Sequence, residues 1–482
     1  MTVRKLLAVV ALTVLLVSVA APSQSASGEL KRAIGLYEKG SLDEAVTVVK
    51  AIVQANPKDA SALSWLGFLH LKTGNNAEAI ATLEKALQLQ PKNADIRNNL
   101  GTAYSLTGNE ARAVAQYQEA LKLKPKSGTA HYNLGNSHFK TGKTAEAAAE
   151  YAQAAALDPK NASYQNSLGL ALQKSGKLNE AISAFEKATK LAPNSPDYWV
   201  NLGTAYRSAE KLASARAAFK QAVQVGPNAY LARVSFAEAL AQEGQNDEAV
   251  REYEAASKIS PIEFLPYYNL AVLQSRMGEF ALAAGQYRKA LEINPDNVAA
   301  MAGLGWSLFK TGKPEEGIAQ LKSAAQKEPN SVDVYTNLAI IYTNQKNDDG
   351  ASEAWSQLLR LQPSSTAALM ALAAINIRKG AIDQAAGYYN KAAEADAKLA
   401  EAYVGLGVVS DRRGDVDKAI ELYRKAIAIN AGLASAYYNL GVAMEKKGQP
   451  DEAITHYRKA LELDSRNTEA KQNLDRLTNP KS

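Results

Sequence analysis

Histidines and carboxylates are the residues of this chain that could hold a metal ion or move protons. His131 and His138 are the closest pair of histidines, and they stand seven residues apart. On a helix this spacing separates the two side chains by roughly 10 Å, which is too far for both to bind one ion. Metal-binding helices use a four-residue spacing instead. The sequence therefore predicts no metal site, and the two histidines are interpreted as core residues.

The sequence likewise predicts neither acid–base nor nucleophilic catalysis. The acidic pairs Glu315-Glu316 and Asp348-Asp349 fall in predicted turns or helix starts, where carboxylates favour the positive end of the helix. There is no cysteine, no Gly-x-Ser-x-Gly motif and no glycine-rich phosphate loop. The formal net charge of +6 is spread along the chain, whereas nucleic-acid binding requires clustered basic residues. We expect a non-enzymatic protein with no cofactor and no nucleic-acid partner.

A repeated phrase shows which elements must position any functional residues. Asn-Leu-Gly-Thr-Ala-Tyr occurs at Asn99–Tyr104 and again at Asn201–Tyr206, 102 residues or three times 34 further on. A 34-residue period predicts a helical hairpin that is copied many times. Thirteen such units, counted from Ala26, end at Asn467. We expect an all-α array over residues 26–467, followed by a solvating cap helix and tail over residues 468–482.

Each unit has the same arrangement of small, aromatic and turn-forming residues. Small residues at the eighth and twentieth positions predict two helices that approach closely. Glycine at the fifteenth position ends the first helix, and proline at the thirty-second position ends most units. Glu210 and Lys346 replace that glycine in two units, so their turns should be costlier or differently shaped.

These columns closely resemble the tetratricopeptide repeat family over residues 26–477. The unit that matches best carries Trp199, Leu202, Gly203, Tyr206, Ala215, Phe219, Ala222 and Pro227. The resemblance implies a right-handed superhelical solenoid in which first helices line an inner groove and second helices face outward.

In this family the sixth position of the first helix points into the groove. Here it often holds asparagine: Asn99, Asn133, Asn201, Asn269, Asn337, Asn439 and Asn473. The row resembles the groove of the superhelix of O-linked N-acetylglucosamine transferase, where asparagines hold an extended peptide. A carboxamide both donates and accepts hydrogen bonds, so it can bind a peptide backbone of any sequence. The alternative is that these amides bond within the array.

Apolar groove residues form a second candidate site. They include Tyr268, Val272, Trp306, Phe309, Ile340, Met370 and Ile377. Exposed aromatic side chains in a groove are typical of binding sites, and the alternative is packing against the adjacent first helix. The two-carboxylate clamp of some family members is not predicted, because Asn136 matches one of its positions but Tyr132 replaces its lysine.

The first twenty residues have the pattern of a secretory signal. Arg4 and Lys5 precede the apolar run Leu6–Val19, and small residues allow cleavage after Ala20. Residues 21–25 would form a short linker. This pattern predicts a periplasmic or secreted protein. The alternative is an uncleaved helix that anchors the chain in the inner membrane, facing the periplasm.

The sequence thus predicts a protein-interaction scaffold of the bacterial cell envelope. Its partners would be other proteins or extended peptides bound in the concave groove, with membrane contact only through an uncleaved N-terminal segment. The alternative is an accessory docking subunit of a polysaccharide-export, secretion or pilus assembly machine.

Overall fold

The computed structural model describes Val17 and residues 28–478, and these residues contain 27 α-helices and no strands. The predicted signal (residues 1–20, apart from Val17), the predicted linker and residues 479–482 lie outside the described residues. The helices alternate between first and second members of a pair, which confirms the predicted all-α repeat fold.

The first helices begin 34 residues apart from α3 to α27. They are α1 (Gly28–Glu38), α3 (Ala60–Lys72), α5 (Ala94–Leu106), α7 (Gly128–Lys140), α9 (Ala162–Lys174), α11 (Pro196–Ser208), α13 (Tyr230–Gln242), α15 (Phe264–Arg276), α17 (Val298–Lys310), α19 (Val332–Asn344), α21 (Thr366–Arg378), α23 (Ala400–Arg412), α25 (Ala434–Lys446) and the final α27 (Thr468–Thr478).

The second helices follow the same period. They are α2 (Leu42–Ala55), α4 (Asn76–Leu89), α6 (Glu110–Leu123), α8 (Thr144–Leu157), α10 (Leu178–Leu191), α12 (Leu212–Val225), α14 (Asn246–Ile259), α16 (Phe280–Ile293), α18 (Pro314–Lys327), α20 (Asp348–Leu361), α22 (Ile382–Ala395), α24 (Val416–Ile429) and α26 (Pro450–Leu463).

Glycine at the eighth position makes room for an aromatic ring of the same repeat. A Cβ atom added to Gly101 would lie 2.7 Å from a ring carbon of Tyr117, and one added to Gly203 would lie 2.6 Å from the ring of Phe219. Tyr117 and Phe219 are fully buried as a result. The small column therefore exists because the two helices of a pair close over an aromatic side chain.

The turn between the two helices keeps one backbone conformation in every repeat. The glycine that ends the first helix has a φ between 76° and 84° in the eleven repeats that contain it. Glu210 and Lys346 adopt φ values of 60° and 56° at the same place. Since positive φ is unfavourable for residues with a side chain, these two turns keep their shape under strain.

The chain divides into two compact units, one ending at Pro266 and the other beginning at Tyr267. Within each unit, most first helices contact their own second helix and the preceding second helix, and several also contact a neighbouring first helix. Examples of the last contact are α5 with α7 in one unit and α17 with α19 in the other. Among the described residues of either unit, no two successive second helices make a comparable contact. We call the surface that the first helices present within each unit the inner face.

Candidate functional site

The asparagines nearest the N-terminus join one repeat to the next. Asn133 is buried, and its side-chain NH₂ group donates to Asn98 Oδ1 at 3.1 Å and to Thr102 Oγ1 at 3.4 Å. Tyr117 also donates to Thr102 Oγ1, at 3.2 Å, and burial raises the pKa of this phenol well above its usual range. Asn99 is buried beside Asn98. The amides of Asn98 and Asn133 are thus committed to a contact between successive first helices.

Asn201 repeats this contact two repeats further on. Its NH₂ group donates to Oδ1 of Asn166, 35 residues earlier, at 2.9 Å. This is the same offset as between Asn133 and Asn98. For Asn133 and Asn201, the structure therefore matches the alternative interpretation, in which the amide bonds within the array.

The remaining predicted asparagines lie in the unit that begins at Tyr267. Asn269 is buried, whereas Asn337 and Asn439 are half-buried. Asn439 donates to the carbonyl oxygen of Ser435 in its own helix at 2.7 Å. Glycine replaces the amide at Gly303 and Gly405. The asparagines thus do not form one continuous row on the inner face.

Rings from the preceding second helix fill the space beside those two glycines. A Cβ atom on Gly303 would lie 2.3 Å from Tyr287, and one on Gly405 would lie 2.3 Å from Tyr389. The backbone at the sixth position thus lies against a ring of the preceding repeat even where the residue is glycine.

Five of the predicted apolar residues lie on the first helices α15, α17 and α19, within the unit that begins at Tyr267. Tyr268, Val272, Trp306, Phe309 and Ile340 are all half-buried. The rings of Trp306 and Phe309 are 5.4 Å apart and tilted by 51°. Phe309 and Ile340 also pack against the core of this unit, so each has one side in the core and part of its surface open to solvent.

Three of these residues, Val272, Trp306 and Ile340, belong to a longer row. The ninth position of six successive first helices is apolar and half-buried throughout, at Val272, Trp306, Ile340, Ala374, Val408 and Val442. We call these six residues the apolar row. Ala374, Val408 and Val442 were missed, although the 34-residue spacing alone would have located them. In the other unit, the ninth position is polar in four repeats, at Thr102, Asn136, Thr204 and Glu238.

The described residues offer little for metal chemistry. Nowhere in residues 28–478 do three or more His, Asp or Glu side chains lie close enough together to hold a metal ion. His131 instead contacts Glu150 Oε2 through Nδ1 at 2.6 Å and the carbonyl oxygen of Pro125 through Nε2 at 3.0 Å. Trp199 and Arg233 occupy the same repeat position and donate to Pro193 and Pro227, both at 2.8 Å. His131 therefore closes the turn between repeats.

The described helices are also short. None of them is both long enough and apolar enough to cross a membrane.

Comparisons with known proteins agree with the repeat. Three tetratricopeptide repeat models match residues 268–332, 308–375 and 398–466. A fourth model, described as the cilia and flagella-associated protein 70 C-terminal domain, matches residues 43–263. A search of curated protein sequences gave no match.

Several solved structures are similar to the chain. The crystal structure of the APC/C hetero-tetramer Cut9–Hcn1 matches 94% of this chain and 96% of that chain, at 15% identity and a TM-score of 0.41. The crystal structure of MamA matches 34% and 97%, at 30% identity and a TM-score of 0.32. The structure of Naa15/Naa10 bound to HypK-THB matches 91% and 68%, at 18% identity and a TM-score of 0.32. With its 34-residue helix pairs and its matches to three repeat models, the chain belongs to the tetratricopeptide repeat family.

Proposed function

We propose that this protein is a non-enzymatic scaffold that binds an extended segment of another protein along its apolar row. Tetratricopeptide repeats mediate interactions between proteins, and the row is the observation that says where such a partner would bind. Six half-buried apolar side chains follow one another at one position of neighbouring helices. A partner that covers their exposed parts would remove apolar surface from water, which lowers the free energy of the complex.

The spacing of the row suits an extended chain. Packed helices lie about 8–10 Å apart, and an extended chain advances about 3.3 Å per residue. One residue in every three of the partner could therefore meet one side chain of the row. Trp306 is the strongest contributor on this account, because tryptophan is enriched among residues that dominate binding energy.

Two observations on the described residues support a non-enzymatic role. Helical repeats occupy residues 28–478, and connections between helices are short turns. The conspicuous polar contacts, such as those of Asn133 and His131, join elements of the array to one another.

The cell envelope is the proposed location. This part of the proposal rests on the sequence pattern of the first twenty residues, in which two basic residues precede an apolar run and a small-residue cleavage site. Cleavage after Ala20 would release the protein into the periplasm or beyond, and an uncleaved segment would hold it at the inner membrane.

A docking subunit of a polysaccharide-export, secretion or pilus assembly machine is the second candidate. It is favoured by the difference between the two units, because one carries the apolar row and the other has mostly polar residues at the same position. Two inner faces of different character could hold two different partners. Neighbouring genes for a synthase or a pilin would favour this candidate.

The proposed binding role is tested by removing the ring of Trp306, which belongs to the row, together with the neighbouring ring of Phe309. The full chain with Trp306→Ala and Phe309→Ala should capture its partner from envelope extracts at least tenfold less efficiently than the unchanged chain. Leu282→Ala is the control, because Leu282 is 56% exposed on the second helix α16 and lies outside the inner face. Melting curves of all three chains report whether each is folded. Equal capture by the double variant and the control would contradict the proposal.

A further inference from the structure

Several basic residues at the end of the first helices are neutralised by an acid of the preceding repeat. Lys140 pairs with Glu110 at 3.3 Å, and Arg378 pairs with Asp348 at 2.6 Å. The same pairing, always 30 residues apart, occurs for Lys379 with Asp349, Arg413 with Asp383 and Lys447 with Asp417. In each case the acid lies in the first turn of the preceding second helix, where a carboxylate also favours the helix dipole.

Lys310 does not form such a pair. The residue 30 positions before it is Phe280, so an aromatic ring replaces the carboxylate. The Lys310 ammonium lies 5.6 Å from the centre of the Phe280 ring and 5.4 Å from that of Trp306. It is exposed, and no carboxylate in the described chain pairs with it. Aromatic faces attract the ammonium, but they leave its positive charge uncompensated.

Trp306 has an unused hydrogen-bond donor at the same place. Two other tryptophans donate their indole N–H within the array, Trp199 to the Pro193 carbonyl at 2.8 Å and Trp355 to Thr343 Oγ1 at 3.2 Å. The N–H of Trp306 has no such partner among the described residues, and the residue is half-buried on the inner face. The site thus combines an apolar ring pair, a free N–H donor and an uncompensated cation.

We propose that the partner segment is acidic as well as apolar: a large aliphatic or aromatic side chain packs on Trp306 and Phe309, and a neighbouring Asp or Glu pairs with Lys310. This inference rests on the proposed function, because it names the chemistry of the segment that the apolar row binds. The indole N–H donates to a carbonyl or carboxylate oxygen of the same segment. An acidic segment fits this site because its charge is complementary to that of Lys310. A basic segment would bring a second cation next to Lys310.

Lys174 provides a matched control within the chain. Its ammonium also lies over an aromatic ring, 4.8 Å from the centre of Phe139, and it too is exposed. The ninth-position residue of its helix, Leu170, is buried, so Lys174 has no accessible apolar site of this kind beside it. A general effect of removing a ring-stacked lysine would therefore appear in both variants.

The test is selection from a random peptide library displayed on phage, with the full chain as the target. Selected peptides should carry Asp or Glu within two residues of a Leu, Ile or Phe. Their affinity, measured by fluorescence anisotropy, should fall about tenfold in Lys310→Gln, as expected for a lost charge-assisted contact. Lys174→Gln should change it less than twofold. Lys310→Glu should select basic peptides in place of acidic ones.

The outcomes separate this inference from the proposed function. Apolar peptides without acidic residues that lose binding in Trp306→Ala but not in Lys310→Gln would overturn the acidic partner and leave the apolar row as a binding site. Equal loss in Lys310→Gln and Lys174→Gln would also overturn it. Failure to select any peptide, or selection of peptides that bind Trp306→Ala equally well, would overturn both proposals.

Discussion

Buried amides of the sixth position stabilise the array by joining successive first helices. Asn133 reaches Asn98 and Thr102 in the preceding repeat, and Asn201 reaches Asn166 in the same way. A buried polar group that loses its partner costs about 1–3 kcal/mol, whereas an amide that bonds only to its own helix contributes less. The asparagines of the two kinds should therefore respond differently to substitution.

Asn133→Ala should loosen the contact between α5 and α7, because the acceptors Asn98 Oδ1 and Thr102 Oγ1 lose a donor. We expect a cost of about 1–3 kcal/mol, visible as faster hydrogen exchange of amides in both helices. Asn439→Ala is the control, since Asn439 is half-buried and bonds to Ser435 in its own helix. Similar exchange rates in the two variants would show that Asn133 has no special structural role.

Ala215→Leu should overpack a helix pair. Ala215 is 2% exposed and lies one turn before the buried ring of Phe219. Extra methylene groups in a packed core cost about 1–3 kcal/mol, so the melting temperature should fall. Ala213→Leu adds the same atoms at an exposed position of the same helix and should change stability by less than about 0.5 kcal/mol. Identical melting curves would mean that the assigned repeat register is wrong.

His70 should make the first repeats sensitive to acid. It is buried, and burial is the main reason that its pKa lies below 6.5, with Lys50 lowering the pKa further and Glu78 opposing both. Because the unfolded chain binds the proton more readily, stability is complete above about pH 6.5 and declines as the pH falls below it.

His70→Leu removes this titration, so the melting temperature should fall less between about pH 7.5 and about pH 5.5 than in the unchanged chain. His138 and His456 also have lowered pKa values because of burial, so part of the pH dependence should remain. An unaltered pH dependence in His70→Leu would contradict this account.

Among structural elements, the two turns that lack glycine carry backbone strain. Glu210 holds a φ of 60° where eleven other repeats have glycine. A left-handed conformation costs a residue with a side chain about 1 kcal/mol or more. The turn is preserved because the helices on both sides of it determine its geometry.

Glu210→Gly should raise the urea midpoint of unfolding, by an amount equivalent to about 0.5–1 kcal/mol. Glu210→Ala is the control, because it removes the charge and the long side chain but keeps the Cβ atom that causes the strain. An equal gain in both variants would attribute the effect to charge, and no gain in either would mean that the turn is unstrained.

At the scale of the whole molecule, the sequence predicts the scaffold better than the site. The 34-residue period predicts where each helix pair lies, since every repeat has the same small, aromatic and turn residues. The bonding of Asn133 could not be predicted from that period. It depends on the contact between the sixth position of one first helix and the fifth position of the preceding one, 35 residues earlier.

The sequence alone also could not predict that Lys310 lacks an acidic partner. Its significance depends on the 30-residue ion-pair offset, which becomes apparent only when the other pairs are seen in space. Once that offset is known, Phe280 in place of an acid can be recognised in the sequence alone.

Photo-crosslinking in the native cell is the most direct test of the central claim that the apolar row binds a partner. A photoreactive residue at Ile340 or Val408, both in the row, should form a crosslink to one segment of one other protein, and the segment should contain apolar and acidic residues. The same residue at Leu282 or Leu463, which are exposed on second helices, should form no such crosslink. Crosslinks to the partner from Leu282 and Leu463 but not from Ile340 and Val408 would contradict the account.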